Sequence, residues 1–201
     1  MPPRPAPLRP PLTEAEVADA ERELGVRFPA EYRAYLRDTG IDAGGYRVVR
    51  TDAGWRWPGD DRLRRDLLTE PFPHPDSYAR ADAELCAREP DEADFPDLAS
   101  YLAAWAAWDA ECEEFEDRRT AGALCLQEHG CGFSTLLAVS GPLAGTMWWD
   151  GRASCDLIVP LSLDHAGAGR PATFGEWLGR DSWDLLPDRA RPRTAGRPPA
   201  P

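Results

Sequence analysis

Four short apolar runs separated by glycines occupy the stretch from Gly122 to Leu161: GALCLQEH, FSTLLAVSG, GTMWWDG and CDLIVPL. Runs of this length, rich in β-branched and aromatic residues and punctuated by turn-forming residues, read as strands of a meander. The chain before residue 121 has a different texture. LTEAEVADAERELG opens with a T-x-x-E capping box at Thr13 and Glu16, repeats Val17, Ala20 and Leu24 at helical spacing, and stops at Gly25. VRFPAEYRAYLRDTG then starts a second helix at Pro29, with Tyr32, Tyr35 and Leu36 on its apolar face and Gly40 as its stop. GGYRVVR offers a short strand, and TFGEWLGRD repeats the capping box at Thr173 and Glu176 before Phe174, Trp177 and Leu178, as a closing helix. A helix pair, a helical insertion, an antiparallel meander and a C-terminal helix define an α+β fold.

The insertion runs from about 58 to 120, in text that is charged, proline-punctuated and helical in pattern. Its clearest element is DLASYLAAWAAWDAECEEFEDRR. Leu98, Tyr101, Trp105, Trp108, Cys112 and Phe115 follow one another at steps of 3, 4, 3, 4 and 3, an apolar stripe beside an acidic second half. The first expectation is a helix packed on its own domain; the second is a partner-docking helix with aromatic anchors.

Domain organisation follows from composition. Residues 1–11, MPPRPAPLRPP, are expected to be a disordered Pro-rich end, and 12–186 a single domain. Residues 187–201, carrying Arg189, Arg191, Arg193 and Arg197 among Pro, Gly and Ala, are expected to be a disordered tail. The N-terminal stretch has no apolar signal region and no run has the length of a membrane span, so the expected location is the cytoplasm. Five cysteines without a C-x-x-C pair make no disulfide framework.

The formal charge of -12 disfavours nucleic acid and anionic membrane as partners. Its distribution is more informative. Asp82 to Asp117 holds thirteen acidic residues against the single Arg88, a net of -12, while the remaining 22 acids and 22 arginines cancel. Every basic residue is Arg, and Lys and Asn are absent. That bias matches a GC-rich coding sequence, so arginine enrichment points to no site.

CLQEHGCGF is the densest collection of reactive side chains. Cys125, His129 and Cys131 share one parity, so an unbroken strand would turn all three to one face. Gly130 and Gly132 interrupt that strand, and a tetrahedral metal shell has no fourth ligand nearby except Cys155. A Cys131 nucleophile with His129 as its base has no evident orienting third residue. His74 and His165 lie in Pro- and Gly-rich loops, and SGPLAGTMWW lacks the spacing and lysine of a phosphate-binding loop. The residues alone nominate no catalytic group, metal ligand or cofactor.

LTEAEVADAERELGVRFPAEYRAYLRDTG resembles the opening of the SUKH superfamily, whose hallmark is a helix ending in glycine, a hydrophobic residue followed by proline, and an aromatic three positions on. Here those are Gly25, Phe28, Pro29 and Tyr32, with Phe28 where the family more often has leucine. The meander with TFGEWL resembles the strands and last helix of bacterial members, and RRDLLTEPFPHP a stretch before the insertion of one subgroup. The resemblance covers 12–57 and 121–186 well and the middle loosely.

What the resemblance implies is a non-catalytic protein-binding module. Its leading role is that of an immunity protein neutralising a basic toxin domain, often a nuclease. A regulatory adaptor, as in the fungal relatives, is the second reading, and a cysteine- or metal-dependent enzyme the third. For the first, the nominated partner-binding residues are Asp109, Glu111, Glu113, Glu114, Glu116 and Asp117, since concentrated negative charge speeds encounter with a basic partner.

Overall fold

The structure is a computed structural model that describes residues 10–38, 45–155, 157–164 and 169–190. The expectations for residues 1–9 and 191–201, and those on Gly40 and His165, fall outside these, as do the side chains of Cys155 and Arg189.

Helices α1 (Glu14–Leu24) and α2 (Ala30–Asp38) form the expected pair. The Thr13–Glu16 capping box closes on both sides, and Gly25 takes φ 72°, its N–H donating to the Glu21 carbonyl. A Cβ at Gly25 would sit 3.0 Å from the Thr69 methyl, so both backbone and space favour glycine. Tyr32 is fully buried, its ring edge-on to Phe28 at 5.4 Å and to Phe174 at 5.1 Å. The hallmark residues therefore pin the helix pair to the end of the chain.

Strands β1 (Val49–Thr51) and β2 (Gly54–Arg56) form a small hairpin, so the strand expected in GGYRVVR begins only at Val49. Trp55 is buried under α1, donating from its backbone to Glu23 and from its indole to Asp19. The meander is realised as one antiparallel sheet in chain order: β3 (Ala123–Gly130), β4 (Phe133–Ala138), β5 (Met147–Asp150) and β6 (Ile158–Pro160). A helical turn, α5 (Arg152–Cys155), takes up the first residue of the run read as the last strand.

The closing helix is one turn, α6 (Phe174–Trp177). Its predicted capping box is in place, but Leu178 at ψ 126° and Gly179 at φ 82° end it at once. Phe174 nonetheless packs between Tyr32 and Tyr35, and the N–H of Gly175 donates to Glu31, fastening the end of the domain to α2.

The sheet is buried on both faces. One core runs from Val17 in α1 through Tyr32, Trp55, Leu124, Leu137, Met147 and Trp177 to Leu186. A smaller core on the opposite face gathers Phe72, Ala123, Cys125, Leu136, Ala138, Trp148 and Ile158. Segment 57–74 supplies its cover, with Phe72 5.1 Å from the Trp148 ring.

α3 (Pro75–Cys86) and α4 (Leu98–Arg118) make the helical insertion, joined by a single 3₁₀ turn at Glu92–Asp94. Here one expectation is overturned. No residue of α4 is buried, and its apolar stripe is not core: Tyr101, Trp105, Trp108, Cys112 and Phe115 are half-buried and Leu98 is exposed. The stripe meets other parts of the insertion, through Phe115 against Tyr78, the Trp108 indole donating to the Leu85 carbonyl, and Tyr101 against Phe95. Two helices and a turn lack the mass to enclose five aromatic or sulfur side chains.

Candidate partner-binding site: an acidic helical arm

The insertion stands on the sheet as an arm whose attachment is ionic. Arg152, which opens α5 just after β5, donates to the Glu116 carbonyl (2.6 Å) and carboxylate (2.9 Å) and also to Asp150. Burial alone would push the Arg152 pKa down, but its bonds to the Asp150 and Glu116 carboxylates hold it above the ordinary arginine value. Arg119, almost wholly buried, reaches Glu116 at 2.7 Å. Arg64 bridges Asp66, Glu114 (3.2 Å) and Asp117 (3.3 Å). Near the middle of α4, Glu111 takes a two-pronged bond from Arg88 at 2.9 and 2.6 Å, which holds the Glu111 carboxyl below its usual range.

These pairs sort the nominated carboxylates. Glu111, Glu114, Glu116 and Asp117 each have an arginine partner within the chain. Asp109 and Glu113 are exposed, and among the described residues neither enters an ion pair or hydrogen bond. Periodicity located the acidic face, and Arg118 and Arg119 stand one helical turn from the Glu114 and Glu116 they meet; Arg64, Arg88 and Arg152 lie far off in sequence and carry no local signal. Beside the arm, a cleft of about 620 Å³ is lined by Arg88, Glu89, Asp91, Asp94, Phe95, Trp108 and Glu111 among others, joining aromatic walls to a mostly acidic rim.

The N-terminal half of α4 is of another kind. From Leu98 to Trp108 it carries no charged residue, and Leu98 and Leu102 are 60% and 55% exposed. Leu102 stands four positions from Leu98, a spacing that puts both on the same flank of the helix.

The CLQEHGCGF segment forms the β3–β4 hairpin, turning at Gly130 (φ 76°), Cys131 (φ 50°) and Gly132 (φ 83°). Cys125 and His129 do not share a face. Cys125 pairs with Leu136 and Gln127 with Thr135, so Leu126 is an extra residue, a bulge that inverts the alternation. Cys125 consequently lies in the smaller core, where burial pushes its thiol up to about 11. His129 lies on the other face, 4.7 Å from the Trp149 ring, with Nε2 2.8 Å from the Thr135 hydroxyl. Cys131 is exposed at the hairpin tip. Among the described residues no three His, Cys, Asp or Glu side chains converge as a metal-binding group.

His129 ends a chain of hydrogen bonds. The Trp177 indole donates to the Ser182 hydroxyl, which is 2.8 Å from the Thr135 hydroxyl, which in turn meets His129. An indole can only donate, so the order that uses every hydroxyl hydrogen runs Trp177, Ser182, Thr135, His129 and ends on an unprotonated Nε2. Burial favours the same neutral form and lowers the His129 pKa, against the opposing charge of Asp181. This arrangement locks strand to C-terminal turn; the imidazole is spent on packing.

Fold and surface together define an α+β domain that displays a charged helical arm. The model of the SMI1 / KNR4 family (SUKH-1) matches residues 11–140, and the chain belongs to that family. Its members are generally non-catalytic immunity or regulatory modules that bind protein partners. The match ends just past β4, so β5, β6 and α6 lie outside it. No curated protein and no solved structure matches the chain. No helix among the described residues is long and apolar enough to cross a membrane.

Proposed function

We propose that this protein captures a basic protein partner on the arm formed by α3 and α4, and that its role is to neutralise a toxin in the cytoplasm. The proposal treats 12–186 as one domain, in keeping with the core that runs from Val17 to Leu186, and 58–120 as an insertion in it. The observation that carries it is the placement of charge: a net -12 between Asp82 and Asp117, on helices whose outer face is exposed. Such a patch attracts a basic domain over distances of about 8 Å at physiological salt and competes with nucleic acid for its cleft. The paired carboxylates hold the arm in place, and the unpaired ones keep their full charge for the partner.

Co-expression with the protein encoded by the adjoining gene tests this reading. A product that arrests growth alone should cease to do so in the presence of this chain. The two purified proteins should associate at a rate that falls with salt and with charge reversal at Glu113, Glu114 and Glu116. A pair that neither rescues growth nor binds overturns it.

A further inference from the structure

Four α4 side chains left over by the intramolecular contacts lie on one flank. At ~100° and ~1.5 Å per residue, Leu98, Leu102, Asp109 and Glu113 fall within about 60° of one another and span about 22 Å along the helix axis. The two leucines are the most exposed large apolar residues among those described, and the two acids are the nominated carboxylates without an ion pair. The half-buried Trp105 borders the leucine end of the same flank.

We infer that this strip is the docking line for a partner that presents an apolar surface at one end and two basic side chains at the other. The inference rests on the protein-binding reading above and names the chemistry it requires. Charge decides between occupants. A second copy paired antiparallel through the leucines brings each Asp109 toward the other copy's acidic turn of Asp91, Glu92, Asp94 and Asp97. A parallel pair sets Asp109 and Glu113 against themselves. Like charges meet in both arrangements, and nucleic acid or an anionic membrane is repelled as well. A basic protein surface alone satisfies both halves. The leucines would supply dry contact area, and the acids, beyond it, orientation and speed of encounter.

The probe is a labelled helical peptide of about 16 residues, with two leucines four apart at one end of a face and two arginines four apart at the other. Its binding is read by fluorescence anisotropy across a salt series, beside a version with glutamate for arginine. The leucine–arginine peptide should bind and the glutamate version should not. Leu98→Ser with Leu102→Ser should weaken binding by roughly tenfold at every salt concentration. Asp109→Arg with Glu113→Arg should weaken it by roughly tenfold at low salt and flatten the salt dependence.

Glu89→Arg with Glu92→Arg makes the same change of charge off the strip and should alter affinity by less than about twofold. All six positions are exposed, so folding is checked by an unchanged melting temperature. Absence of binding, or an equal loss in the off-strip variant, overturns the strip. So does a dimer of the unmodified protein that Leu98→Ser with Leu102→Ser dissolves in sedimentation, which would assign the leucines to a second copy. Growth rescue that survives both strip variants removes the strip and leaves the proposed function standing. Failure of rescue by the unmodified chain removes that function, and the peptide measurements still judge the strip.

Discussion

The guanidinium of Arg152 holds both the main-chain carbonyl and the side-chain carboxylate of Glu116, across 36 positions of sequence. One side chain thus joins the last turn of α4 to the end of the inner strand β5, while its other prong covers Asp150, a carboxylate only 6% exposed. Removing it strands that carboxylate in an apolar setting. Arg152→Ala should cost about 3 kcal/mol in urea unfolding, and limited proteolysis should then cut first in α4. Arg152→Met with Asp150→Leu, which removes both charges, should recover much of the loss.

Ser182 sits between two partners that have no substitute. Ser182→Ala leaves the Trp177 indole N–H and the Thr135 hydroxyl short of a bond in a buried site. The expected loss is about 2 kcal/mol by calorimetry, with the sheet registers unchanged in amide chemical shifts.

Acid should destabilise the domain through His129. A histidine whose folded-state pKa lies below its ordinary 6.5 binds fewer protons folded than unfolded. Its contribution is therefore complete above pH 6.5 and is lost as pH falls from there through the lowered folded value. Melting temperature measured from pH 8 to pH 5 should drop in that window, and His129→Phe should flatten the drop.

Thiol chemistry should divide the cysteines by position. Cys131 and Cys86 are exposed, whereas burial holds the Cys125 thiol near 11. Iodoacetamide at pH 7.5, followed by peptide mass spectrometry, should label Cys131 and Cys86 and leave Cys125 untouched until denaturant is added.

Gly25→Ala should destabilise the helix pair by about 1 kcal/mol, since alanine must take a positive φ and meet the Thr69 methyl. Gly130→Ala shares the backbone strain without the contact and should cost less in the same equilibrium unfolding assay.

Local chemistry was the legible part of this chain. Capping boxes at Thr13 and Thr173, the left-handed stop at Gly25 and the first three strands of the meander act within a few residues, and each stands where its pattern puts it. Periodicity was a weaker guide. It showed that α4 has a face in want of cover, but the cover depends on how much chain the neighbourhood supplies, and α3 with one turn supplies half. The sorting of the acidic face was only partly within reach: Arg118 and Arg119 stand one turn from Glu114 and Glu116, but Arg64 and Asp117 are 53 positions apart and meet only when the fold is complete. Parity failed at His129 for a sharper reason: it assumes that every residue of a strand is paired, and Leu126 is not.

That unpaired leucine works as a half-turn in a screw thread. The first part of β3 commits its odd-numbered residues to one core and the last part to the other, although no side chain announces the change. Removing Leu126 would bring Cys125, opposite Leu136, next to Gln127, opposite Thr135, and leave Gln127, Glu128 and His129 on the faces they hold now. The ladder could therefore spare this residue, while the larger core, in which its side chain is almost wholly enclosed, could not. A position that the pairing does not count is held by packing alone.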